Sequence, residues 1–397
     1  MKITSKLLMA TVVFFAACQK ENTTTKAPVH SSDVNVSEAM LREDGNNPDE
    51  NVLNAEGNSL ATGHIYIQSN DAAGNAILMY NQQHDGKLAW TSTTGSGGNG
   101  SGAGLGSQSA VAINADNTLL FAVNAGSNSV SSFKIKNDGS LDLISTINSG
   151  GKLPVSVAVY KNLVYVVNSM SANISGYTID ADGNFTKIQG SKKALSDSTA
   201  SPAQIAFSPE GNSLLVTEKM TNKISSFALD ANGSIMKAAY TDATGSTPFG
   251  FDFSRDKYMI VSNASQGADN ASTCTSYQDL FLHVKDVNGA VANQQSASCW
   301  VATTRFGRYA FVTNAKSKNI VSYYVDAFGA LFYLSWSPAP TGTAPTDITV
   351  SANNKFVYNI NSGDHTISEF QRSLFGTLQP IGTVTSIPMF ASGLAAN

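Results

Sequence analysis

From about residue 60 to the C-terminus, apolar and polar residues alternate with a period of two, in short runs broken by Gly turns. No run shows the 3.6-residue period of an amphipathic helix. Alternation rich in β-branched and aromatic residues predicts half-buried strands, and turns such as Asp-Gly between them predict tight hairpins. One stretch runs Leu215-Val-Thr-Glu218, Asn222-Lys-Ile224, Phe227 and Asn232-Gly233-Ser-Ile235. Its frame recurs from Phe121, Tyr165, Phe311 and Tyr358, always with an aromatic twelve residues after the first anchor. Looser copies around Tyr66 and Ile260 raise the count to seven. A period of roughly 44 to 55 residues is in the range of propellers and solenoids.

Ahead of most units lies a further alternating strand that begins at Pro: Pro154, Pro202, Pro248 and Pro345. Gln108–Ile113 and Ser298–Thr303 fill the same place without Pro. Four strands in each of seven repeats predict an all-β fold, a seven-bladed β-propeller over residues 58–397, whose closed ring leaves no long sheet edge. The first unit lacks a strand before it, whereas Pro388-Met-Phe-Ala391-Ser-Gly393 follows the last. The C-terminus is therefore expected to supply the strand that closes blade one.

Composition changes little for the ring and much for the N-terminus. With 42% hydrophobic and 14% charged residues the chain can bury a large core, which excludes a mainly disordered protein. Met1–Ala17 has a basic start and the apolar run Leu7–Ala17, the pattern of a secretory signal too short to span a membrane as a mature helix. Phe15-Ala16-Ala17-Cys18 resembles the bacterial lipoprotein cleavage box, which implies lipid attachment at Cys18. Residues 18–57 are polar and lack periodicity, as a flexible tether does. The expected location is the bacterial cell envelope, on the outer membrane and facing either the periplasm or the surface. Losing residues 1–17 removes Lys2 and Lys6, leaving 23 basic against 29 acidic residues, a net charge of −6. Without a basic block, nucleic acid is excluded as a partner.

Hairpin topology sorts the connections into two ends. The Gly turns and the first-to-second-strand hairpins share one. The other carries the long segments Thr91–Gln108, Gly190–Ser201 and Ala264–Gln278, and a site is expected there, at the channel mouth. Residues just inside the inner-strand starts should line it: Ala110, Ser156, Gln204, Gly250, Trp300, Asp347 and Phe390. A second ring follows strand two: Asn124, Asn168, Glu218, Asn263, Asn314 and Asn361, with Ser69 or Asn70 in blade one. The Asn residues serve either turn chemistry or ligand binding. Glu218, the carboxylate among them, is either a general base or a partner of Lys219. Asp347 and the loop residue His365 could add an orienting group and a proton carrier, and Trp300 either stacks on a ring or plugs the channel. No zinc motif, nucleophile elbow or credible dinucleotide loop appears, so no metal and no cofactor are expected. Cys274 and Cys299 could form a disulfide in an oxidising compartment.

The repeated frame of strand, Asn, aromatic and Asp-Gly turn resembles the lactonase family of seven-bladed propellers, which includes 6-phosphogluconolactonases and carboxymuconate cyclases. Family members commonly carry Gly-Pro-Arg-His, Ser-Pro-Asp-Gly and Asn-Glu-Leu-x-Asn in blade four. Here the segments are Ser201-Pro202-Ala203-Gln204, Ser208-Pro209-Glu210-Gly211 and Thr217-Glu218-Lys219-Met220-Thr221-Asn222. The resemblance implies a hydrolase of a sugar lactone or related cyclic ester with Glu218 as base, Lys219 or His365 at the oxyanion, and Gln204, Asp347, Trp300, Asn314 and Asn361 around substrate. Ala203 and Gln204 replace the family's Arg and His, which leaves a non-catalytic propeller that binds a glycan or protein as the alternative. The chain is expected to be monomeric.

Overall fold

The structure, a computed structural model, describes residues 63–255 and 257–397. The expected signal segment, Cys18 and the tether lie outside the described residues. Seven antiparallel sheets account for nearly all of the rest, and they form seven blades in chain order. Each runs from an inner strand outward through a second and third strand to an outer one. In blades three and six the outer strand is split in two, as at Phe185–Lys187 and Lys193–Ala194.

The Pro-led inner strands begin where the sequence places them: Pro154–Tyr160, Pro202–Phe207, Pro248–Ser254 and Pro345–Val350. Proline has no N–H to give a ladder, so it suits a strand's first residue. Blade one takes its inner strand from the C-terminus, with Ser392–Ala396 antiparallel to His64–Gln68. That strand starts four residues later than Pro388, because Ala391 N–H closes a turn onto the Pro388 carbonyl. Phe390 therefore precedes the strand instead of lining it. The closure is sealed by His64 N–H to Asn397 Oδ1 at 2.9 Å and Asn397 N–H to the His64 carbonyl at 3.1 Å. The ring thus closes entirely within Gly63–Asn397.

A repeated latch joins most blades to the next at the Gly-turn end. Tyr66 Oη donates to the Gly139 carbonyl of blade two at 2.8 Å, and Tyr165 Oη to that of Gly233 in blade four at 2.5 Å. Ser132 and Ser322 make the same bond to Gly183 and Gly376. The last latch, Tyr358 Oη to the Gly86 carbonyl at 2.7 Å, runs from blade seven to blade one. At Gly86, φ is +83° and a Cβ would sit 2.2 Å from the Phe356 ring, so glycine is required both for the turn and for the latch.

Two expected loops prove to be partly strand. Leu88–Gly95 is the outer strand of blade one, and Thr273–Asp279 is the third strand of blade five. Cys274 therefore lies in a sheet instead of a lid. Cys274 and Cys299 are both buried thiols and form no disulfide. Strand Tyr258–Asn263 separates them: its Ser262 pairs with Cys274 on one side, and its hydroxyl donates to the Cys299 carbonyl on the other at 2.6 Å. Burial pushes the Cys274 thiol pKa well above its ordinary value.

Candidate functional site

The connector from blade one to blade two crosses the channel mouth. Its Ser107 hydroxyl donates to the Val155 carbonyl of blade three at 2.8 Å, and Gln108 N–H to the Ala203 carbonyl of blade four at 3.0 Å. The Gln108 amide pairs with the backbone of Val301 in blade six, donating at 2.7 Å and accepting at 3.0 Å. Trp300 Nε1 donates to the Ser107 carbonyl at 2.8 Å. Sequence reasoning gave Gln108 to an inner strand. Instead that strand shrinks to Val111–Ile113, because Leu105–Ser109 is drawn across the mouth.

This connector decides where several candidates point. Lys219 Nζ donates to the Gly106 carbonyl at 2.5 Å and sits 4.9 Å from the centre of the Phe249 ring. Gln204 joins the connector to blade five, donating to Ser109 Oγ at 3.3 Å and accepting from Phe251 N–H at 2.7 Å. Trp300 packs edge-on against Phe249, with ring centroids 4.9 Å apart, and fills the channel. Lys219, Gln204 and Trp300 are thus brought together, held by backbone carbonyls and rings.

Glu218 is fully buried at the end of its strand and clasps the connector from blade three. Oε1 accepts from Ser196 N–H at 3.1 Å and from the Ser225 hydroxyl, and Oε2 from Thr221 Oγ1 at 2.5 Å and from the Ser196 hydroxyl. With four donors aimed at it, the carboxylate is satisfied without a cation, and Lys219 points elsewhere. The buried Asn residues of the same ring bond chiefly to the third strand. Asn314 Nδ2 donates to Asn319 Oδ1 at 2.7 Å, and Asn361 Nδ2 to Thr366 Oγ1 and Ser368 Oγ at 2.9 and 2.8 Å.

Asp347 stands apart. In blades three, four and six a bulge falls on the residue after the inner strand's first, at Val155, Ala203 and Cys299. In blade seven the bulge is one residue further on, so Asp347 occupies it, with φ +29°. A bulge re-aims a side chain, and a non-glycine residue held at positive φ stores strain. The carboxyl is 3% exposed and faces the closing strand of blade one. Burial pushes its pKa up from 3.8 to about 7, while backbone N–H groups of Ile348, Gly393 and Leu394 oppose the shift. Oδ2 has no hydrogen-bond partner among the described residues.

Sequence reasoning missed Asn359, the residue that holds this bulge. Its Nδ2 donates to the carbonyls of Thr346 and Asp347 at 2.6 and 2.8 Å, and its Oδ1 is left without a partner. The signal was present: the position two before the terminal Asn is Ala122, Val166, Val261 or Val312 in other blades, and an amide only here. His365 lies in the next loop of the same blade, half-buried at φ +56°, with Nδ1 unpartnered. No hydrogen bond joins it to Asp347. A groove of about 350 Å³ between blades six and seven, lined by Thr341, Asp364, Thr366 and Thr383, lies at the perimeter instead of the axis. No cluster suited to a metal ion occurs among the described residues.

The fold is similar to a putative 6-phosphogluconolactonase from Bacteroides fragilis, with 18% identity, TM-score 0.69, and 86% of this chain and 99% of that chain covered. It is equally similar to a periplasmic gluconolactonase from Pseudomonas aeruginosa, with 16% identity, TM-score 0.69, and coverage of 85% and 99%. No curated protein matches the sequence. The family model described as Lactonase, 7-bladed beta-propeller matches residues 74–182 and 158–279, together just over half of the chain. The chain belongs to the seven-bladed lactonase propeller family.

Proposed function

We propose that this propeller is an extracytoplasmic hydrolase, held to the cell envelope through Cys18, that opens a sugar lactone or related cyclic ester by attack of water. The observation that carries this reading is the Asp347 carboxyl, its pKa raised to about 7 and Oδ2 unpartnered beside the channel. Such a group is half ionised near neutrality, the condition a general base needs. Asp347 takes a proton from water as the oxygen attacks the lactone carbonyl. The same proton passes to the ring oxygen as the acyl–oxygen bond breaks, leaving a hydroxy acid. Asn359 acts through Asp347, as a positioning residue. Glu218, with its four donors, is assigned the clasp. Because Asp347 is 3% exposed, substrate access requires the covering segments to shift.

The test is hydrolysis of a panel of sugar and simple lactones by the wild type, Asp347→Asn and Glu218→Gln. The expected result is a rate that rises as pH passes about 7, falls at least about a hundredfold in Asp347→Asn, and stays near wild type in Glu218→Gln. No hydrolysis above background would favour the second reading, a non-catalytic module that binds a glycan or protein. The connector that occupies the mouth is the observation in favour of that alternative.

A further inference from the structure

The Gly-turn end of the ring is two unlike halves. In blades two to four its tips are mainly acidic: Asp116, Asp138, Asp182 and Glu210 are all exposed, against the exposed Lys136 and Lys161. In blades five to seven the turns between third and outer strands are apolar. Leu280 is 50% exposed, Phe281 41%, Phe328 79% and Phe375 68%. Phe328 and Phe375 stand immediately before the turn glycine, where blades one to four have Asp85, Asp138, Asp182 and Asn232. Phe281 holds φ +73°, which a bulky residue seldom adopts, and still presents its ring to solvent.

The charge of this half is also distinct. All four arginines after residue 63 fall in blades five to seven, on or beside these turns and hairpins. Arg308 and Arg372 are buried against Tyr324 and Tyr309, but Arg305 and Lys257 are exposed and Lys355 is half-buried. Asp279 and Asp326 are half-buried and accept from the turn N–H groups of Phe281 and Phe328, so the charges exposed around these protruding aromatic tips are cationic. The chain also joins the ring at this end: the His64 ring lies against the blade-two turn glycine Gly139, 2.6 Å from where a Cβ would stand. Trp90, 62% exposed near the start of blade one's outer strand, continues the apolar arc beyond blade seven.

We propose that this half of the Gly-turn end rests on an anionic lipid surface, with Phe281, Phe328 and Phe375 seated among the headgroups and Arg305, Lys257 and Lys355 facing lipid phosphates. Aromatic rings partition to the bilayer interface, and each basic residue near an anionic surface adds attraction. The acidic tips of blades two to four oppose flat contact, so the ring tilts and its channel mouth faces away from the membrane. The inference extends the anchored reading above but is independent of hydrolysis.

Residues 19–397 retain the whole closed ring and lack Cys18, so they separate face binding from lipid anchoring. Flotation is measured with phosphatidylcholine vesicles, with and without phosphatidylglycerol. The expected result is co-flotation with anionic vesicles that weakens in salt and falls at least about tenfold in Phe281→Ser/Phe328→Ser/Phe375→Ser. Lys257→Glu/Arg305→Glu is expected to lose roughly fivefold per charge removed. Met170→Ser/Met220→Ser, altering exposed residues at the opposite end, leaves flotation unchanged. Melting checks that each variant is folded. The proposal is overturned if the wild type stays with the unbound fraction, if the Phe variant floats as well as the wild type, or if the Met control loses as much. A dimer that the Phe variant dissolves, without flotation, would also overturn it and make this face an interface between copies.

Discussion

Deleting Ser392–Asn397 removes the whole inner strand of blade one and should abolish the ring. Four backbone positions pair across this ladder, and Asn397 and Ser392 add three further bonds to His64 and Gln68. At about 1 kcal/mol net for each hydrogen bond, with about 2 kcal/mol for burying Leu394, the strand contributes about 9 kcal/mol. A domain's entire stability is of the order of 5–15 kcal/mol. The loss also exposes Ile65 and Ile67, which are now fully buried, along an unpaired edge. The assay is thermal unfolding by circular dichroism with gel filtration alongside. The expected outcome is no cooperative transition, or one at much lower temperature, with aggregation. A truncated monomer that melts within a few degrees of the full chain would refute the reasoning and make the terminal strand an accessory.

The other predictions concern buried groups. Glu218→Ala leaves four donors unanswered and should lower stability by about 3 kcal/mol in urea unfolding, whereas Glu218→Gln should lose far less. Equal losses would mean that the clasp matters little. Asp347 has its pKa raised on folding from 3.8 to about 7, so the folded state is penalised as the carboxyl ionises. Wild-type stability relative to Asp347→Asn should be highest below pH 4, fall between pH 4 and 7, and level off above; urea midpoints across that range give the comparison. A gap that widens in the opposite direction would show a partner for the carboxylate. Because Cys274 and Cys299 are thiols, adding reductant should leave the melting temperature unchanged, and a drop would show a bond between them.

The ring itself was legible because its signals are local. Pro202 starts a strand, Asn232-Gly233 turns one, and the aromatic twelve residues after Leu215 repeats in other blades. The connector was not legible. Gly95 to Gly106 has no periodicity, and the groups that capture Ser107 and Gln108 are backbone atoms of Val155, Ala203 and Val301, which carry no residue-type signature. Glu218 stood out as the carboxylate in a ring of Asn, but the hydroxyls that hold it, Ser196, Thr221 and Ser225, look like any others in a serine-rich chain. Asp347 was visible as a residue and hidden as a bulge, since a register shift of one position depends on pairing partners. Asn359 was the readable clue to it, an amide where other blades have Ala, Val or Ile.

Closure through Ser392–Asn397 also sets a timetable. His64 and Asn397 are bonded across 333 positions, so the first blade cannot be completed until Asn397 has been made. At about 10 residues per second, its second strand waits roughly half a minute for its inner neighbour. During that interval Ile65, Tyr66 and Ile67 form an apolar edge with one side open, the kind of surface that recruits chaperones or other nascent chains. Later blades can assemble on each other through the Tyr and Ser latches while the first blade stays incomplete. The ring therefore remains open until Ser392–Asn397 has been made, however early the other blades have folded.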